Sequence, residues 1–252
     1  MDDITAKEFR GKIQEVQNDL VLEYLNVRRA LGYLGFLLPA MLIAYGLWPG
    51  TTFAPSISEF YYTHMGGVFV GVMCAIGVFL FTYKGYRREP GEILSDKILS
   101  RIAGLLAIGV AIFPVRVDLP ALCEDPAVNL GLECHPNVLH FGSATGFFVA
   151  LAILCIFQFT KGNRTRDGRI KWTPDNIIYV SCGVIMLACL LALVPYVLLP
   201  TVTEALAPWK YMFVMESIAC IAFSIAWLVK GERLQPVKRA VETVAPSPAT
   251  DD

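Results

Sequence analysis

The chain has no G-x-x-x-x-G-K-[ST] phosphate loop and no H-E-x-x-H helix, which removes two common enzyme classes. No haem or phosphate-binding motif takes their place. Histidine is scarce: His64, His135 and His140 are the only three, so any imidazole-held site must draw on nearly all of them. Charge is missing altogether between Gly66 and Tyr83. At 1.5 Å per residue that run reaches roughly 27 Å, close to the hydrocarbon thickness of a bilayer. The inner halves of the apolar runs carry almost no polar residues, which argues against an ion channel. There is also no matched pair of Gly/Pro-broken runs of the kind many secondary transporters use, so a transporter ranks third among the functions considered.

What is present is apolar. More than half the residues are hydrophobic (55%), the mean hydropathy is positive, and several apolar runs exceed the length of an ordinary core helix. The expected fold is all-α, a polytopic membrane protein with six transmembrane helices arranged as three helical hairpins. The spans fall at about Leu31–Trp48, Gly66–Tyr83, Ile98–Val115, Val138–Phe159, Ile177–Leu199 and Tyr211–Val229. Residues 1–30 form a cytoplasmic amphipathic helix, with a Thr5-to-Glu8 capping box and an apolar stripe through Phe9, Ile13, Val16, Leu20 and Tyr24. Residues 31–232 form the membrane domain, and 233–252, rich in Pro, Ser, Thr and Asp, form a disordered cytoplasmic tail. No cleavable signal peptide is read, because the first apolar run begins near residue 30 behind a charged segment.

Orientation follows from the cations. All but Arg116 and Lys210 of the 21 Lys and Arg residues lie on one side of this layout, which places both termini in the cytoplasm of a bacterial inner membrane. The near-neutral net charge gives no argument for nucleic-acid binding. A homo-oligomer is compatible with the pattern.

Three runs end on K-G-x-R, at Lys84, Lys161 and Lys230, where a glycine can take a left-handed cap and cations meet the helix C-terminus. His64 lies 20 residues before its lysine and His140 lies 21 before its own, so both histidines sit at one height near the outer surface. Internal repetition and convergence on a common end signal both account for this. Gly67 and Gly71 in span two and Gly142 and Gly146 in span four suggest that these two spans pack closely.

Glu216 is the residue most in need of a partner. It stands 14 positions before Lys230, about 21 Å above the inner end, where a bare carboxylate costs several kcal/mol. His140, Arg116, Asp118, His64 and Lys210 share its half of the bilayer. Three readings remain: a buried polar cluster that fixes helix order, a binding pocket for a lipid or small molecule, and a metal-centred catalytic site. The binding residues would be Glu59, Tyr62, Arg116 and Glu216. The metal ligands would be His64, His140 and Asp118 around zinc, with Ser58, Asp118 and Glu216 as catalytic groups. Adjacent Tyr61 and Tyr62 also fit an interfacial aromatic belt. On the outer side Cys123 and Cys134 are placed to close a disulfide; with His135 as metal ligands they match no standard zinc spacing.

The six-span layout with Ser56-Ile57-Ser58-Glu59 before span two resembles uncharacterised bacterial multipass families. More distantly, Ser58 and His64 at one helix mouth, Asp118 after the next helix and a polar residue in the last one resemble the alkaline ceramidase and adiponectin-receptor superfamily. That resemblance implies a zinc-dependent hydrolase acting on a membrane lipid amide or ester. The chain departs from the family pattern in its last helix, which carries Glu216 where the family has His-x-x-x-His, and in having six spans rather than seven.

Overall fold

The computed structural model describes residues 3–83, 85, 95–115, 136–163 and 169–231, with side chains from residue 25 onward. Among them every regular element is helical: α1 (Asp3–Gly46), α2 (Gly66–Thr82), α3 (Asp96–Ile112), α4 (Pro136–Ile153), α5 (Pro174–Leu198), α6 (Pro200–Leu206) and α7 (Tyr211–Lys230). The C-terminal half of α1, the α4 helix with its continuation, α5 and α7 are each long and apolar enough to cross a membrane; α2 is a shorter apolar helix.

Local chemistry accounts for several boundaries. Ser95 accepts a hydrogen bond from the Ile98 amide at the start of α3. Thr173 does the same for Asn176 at α5, where Pro174 fills the first helical position. No break falls near residue 30: the surface segment and the first span are one helix of 44 residues, with Pro39 inside it. The side chains of its amphipathic stripe lie outside the described residues.

Six helices form a closed ring. Going round, α1 packs on α2, α2 on α3, α3 on α4, α4 on α5, α5 on α7, and α7 returns to α1. The contacts of α2 with α3 and of α1 with α7 are as extensive as those of α3 with α4 and α5 with α7, and α1 touches α2 less, so the helices do not group into three separate pairs. The glycines work elsewhere than expected. Gly67, Gly71 and Gly142 face open space, and Gly146 meets Leu106 of α3. The close approach is at Gly77 of α2 and Gly104 of α3, where a Cβ on Gly104 would stand 2.6 Å from the Gly77 carbonyl oxygen.

The K-G-x-R ends also differ from one another. Gly85 takes the left-handed conformation (φ 58°), whereas Gly231 does not and Gly162 lies within a 3₁₀ turn. What these ends share is a polar end to the bundle. Lys161 pairs with the fully buried Asp96 at 3.3 Å. Lys230 donates to the Phe159 carbonyl at 3.3 Å and sits over the Phe159 and Tyr179 rings. Arg28 and Arg29 of α1 reach the carbonyls of Lys230 and Gly231. A π-helical turn at Leu154–Gln158, followed by 3₁₀ winding, interrupts the regular ladder just before Phe159.

Candidate functional site

The opposite end of the bundle is closed by the connection between α1 and α2. After Trp48 the chain turns at Gly50, which has φ 84°, and the Thr51 hydroxyl ties the turn by donating to the Tyr45 and Trp48 carbonyls. Residues 54–60 then enter the ring, with Phe60 fully buried and Ser56, Ile57 and Ser58 buried beside it. An aromatic wedge holds them there. The Phe53 ring lies 4.8 Å from Phe213 and 5.8 Å from Phe60, and Tyr45 closes on Phe60 from α1. Backbone joins in, with the Phe213 amide donating to the Pro55 carbonyl at 3.0 Å.

Backbone buried away from water must find partners, and this loop finds them locally. Ser56 and Glu59 tie down the start of the 3₁₀ turn Ser58–Tyr62: the Glu59 amide donates to Ser56 Oγ (3.1 Å), and Ser56 Oγ donates to Glu59 Oε1 (3.2 Å). The spacing is that of a capping box, S-x-x-E, which is legible in the sequence itself. Burial pushes the Glu59 carboxyl above its ordinary value; the Ser56 hydrogen bond and the Lys210 charge pull back against it.

Among the described residues Glu216 is the partner of this loop. Its Oε2 accepts from the Ile57 amide at 2.6 Å. Glu216 is five residues into α7, about 8 Å along from that helix's N-terminal end, which measures how far the loop reaches into the bundle. Arg116 lies outside the described residues, as do Asp118, Cys123, Cys134 and His135.

His140, one turn into α4, is buried (2% exposed). Its Nδ1 lies 2.7 Å from the Phe113 carbonyl oxygen and its Nε2 lies 2.9 Å from Ser58 Oγ. Phe113 caps the C-terminus of α3, where carbonyls have no partner within the helix. A carbonyl only accepts, so Nδ1 carries the proton; in the neutral ring Nε2 is then an acceptor and the Ser58 hydroxyl donates to it. Three segments thus converge: the carbonyl from α3, the imidazole from α4, the hydroxyl from the loop.

The other candidates stand apart from this line. His64 is exposed, with Nδ1 3.4 Å from the Tyr45 hydroxyl. Tyr62 is exposed too and donates its hydroxyl to the Val115 carbonyl at 2.7 Å, pinning the loop to the end of α3. Among the described residues no three His, Cys, Asp or Glu side chains gather to hold a metal ion, and both His140 nitrogens already have partners. Cys74, Cys155, Cys182, Cys189 and Cys220 are free thiols inside the helices.

Beneath the loop lies a cavity walled by α1, α2, α3, α4 and α7. Water-sized molecules have about 40 Å³ there, within about 530 Å³ of unfilled space that includes the mouth. Leu38, Phe69, Met73, Ile76, Phe147 and Phe223 make the wall apolar, and Ser58 and Glu216 bring a hydroxyl and a carboxyl to it. Such a space suits a short apolar group with one polar end. No family model, curated protein or solved structure matches the chain.

Proposed function

We propose that this chain is a six-span protein of a bacterial inner membrane, with both termini cytoplasmic, that binds the acyl portion of a membrane lipid or a small molecule of like chemistry in a pocket within the outer half of the bilayer. One observation carries the reading: an apolar cavity is roofed by a buried loop whose Ser58 and its neighbour Glu216 are the polar groups at its edge. Apolar walls favour hydrocarbon through the area removed from water, and a hydroxyl and a carboxyl at one end fix which way round it sits. The segregation of Lys161, Lys230, Arg28 and Arg29 to the far end agrees with the cation bias that orients the chain. On that orientation the loop and the cavity belong to the outer leaflet.

The test is lipid mass spectrometry of protein purified in mild detergent, comparing the wild type with Ala144→Leu, which adds bulk to the cavity wall. Retention of a defined acyl species by the wild type and its loss from a folded Ala144→Leu protein supports the proposal. If both samples carry the lipid mixture of the surrounding membrane, the pocket binds nothing of this class.

A further inference from the structure

We infer that Ser58 is an acyl-accepting nucleophile with His140 as its general base, so that the pocket performs acyl transfer from a carboxylic ester to water. The inference rests on the binding reading for the apolar space and on separate geometry for the chemistry. Nucleophilic catalysis by serine needs a base within hydrogen-bond reach and a third group that orients the base. Both distances are met here, 2.9 Å from Ser58 Oγ to His140 Nε2 and 2.7 Å from His140 Nδ1 to the Phe113 oxygen. The tautomer is the required one, because a carbonyl on Nδ1 leaves the lone pair of Nε2 facing the hydroxyl. Ser58 also lines the cavity, so its oxygen borders the space an acyl group would fill.

The balance is simple. Ser58 Oγ forms a bond to the carbonyl carbon of the ester while its proton passes to His140 Nε2. The bond from that carbon to the alcohol oxygen breaks, and the departing alcohol takes the proton from Nε2. Water then enters, gives a proton to Nε2 and attacks the acyl-serine; Ser58 leaves with that proton and a carboxylic acid is released. A neutral carbonyl stabilises an imidazolium less than a carboxylate does, so the expected reaction is slow beside that of a Ser-His-Asp enzyme. Glu216 is a positioning residue in this scheme. By accepting from the Ile57 amide it holds the backbone next to Ser58.

The experiment is labelling of the full-length protein in mild detergent with a short-chain alkyl fluorophosphonate, the site mapped by peptide mass spectrometry. The expected result is one adduct on Ser58, absent from Ser58→Ala and formed on the order of 100-fold more slowly in His140→Gln. In the wild type the labelling rate should rise with pH along a single titration curve, which a purely structural hydrogen bond would not produce. No adduct on Ser58 in folded wild-type protein overturns the inference without recourse to any variant, and so does an adduct that forms at the wild-type rate in a folded His140→Gln protein. Failure of the binding reading is told apart by the lipid measurement: a defined acyl species retained without labelling leaves a binding protein, while labelling without retained lipid removes the acyl-lipid ligand and leaves the nucleophile.

Discussion

The Ile57 amide and the Glu216 carboxyl group, 159 positions apart, meet at 2.6 Å and join the loop between the first two ring helices to the last one. An ionisable group within a membrane helix calls for a partner, and among the described residues that partner is main chain. The same bond satisfies a backbone donor that the buried loop would otherwise leave without water. Removing one partner should therefore cost more than an exposed hydrogen bond is worth. Glu216→Ala is expected to lower stability by about 1–3 kcal/mol, whereas Glu216→Gln, which keeps a carbonyl acceptor, should lose much less. Thermal unfolding in mild detergent ranks the three proteins; equal midpoints for wild type and Glu216→Ala would show that the bond does not hold the loop.

Packing of α2 on α3 gives a second prediction. A Cβ at Gly77 would lie 2.8 Å from the Gly104 carbonyl oxygen, a backbone atom that cannot swing aside. Gly77→Val should cost about 1–3 kcal/mol through forced separation of the helices. Gly142→Ala, which meets nothing within 4 Å, is the control and should be near neutral. The same thermal measurement decides it.

Asp96 and Lys161 make a third. Asp96 is fully buried and Lys161 nearly so. Asp96→Ala should destabilise by about 3–5 kcal/mol because it takes a buried carboxylate away from a poorly hydrated ammonium. The double variant Asp96→Ala with Lys161→Met should recover part of that loss. A double-mutant cycle showing no coupling would mean that the two residues act independently.

Glu59 sets a pH dependence. Its carboxyl is raised by burial, so between its ordinary value near 4.5 and its higher value in the fold the folded protein keeps a proton that the unfolded chain has released. Stability from this group is therefore fully present below about 4.5 and is lost as pH rises through the raised value. Melting curves from pH 4 upward should show a decline in wild type that is shallower in Glu59→Gln; parallel curves would remove Glu59 as the source.

Orientation has its own check. A membrane-impermeant maleimide applied to intact cells should label Cys123 or Cys134 after mild reduction, and should label Arg169→Cys only once the membrane is opened. The reverse pattern would turn the protein over and put the Ser58 loop on the cytoplasmic side.

Much of the helical framework was legible because membrane-length apolar runs announce themselves. The limits of α2, α5 and α7 fall within a few residues of the expected spans. Glu216 stood out for the same reason, as an ionisable group where water is scarce. The partners of the polar groups were not legible. Phe113 acts through a carbonyl, and no side chain marks which helix C-terminus will lend its free oxygen to a histidine. His64 and His140 occupy like positions in two similar segments, yet one is exposed and the other buried, because burial depends on which neighbour covers the helix mouth.

The sequence by itself determined an all-helical, membrane-type chain and drew attention to Ser58, His140 and Glu216, since hydropathy and the cost of a buried charge are properties of local composition. Only the tertiary structure decided that the helices close into a ring, that a loop descends into one end of it, and that a serine hydroxyl, an imidazole and a main-chain carbonyl line up there. Those relations join residues up to 159 positions apart, and their directions are fixed by packing between helices, which no single stretch of the chain encodes.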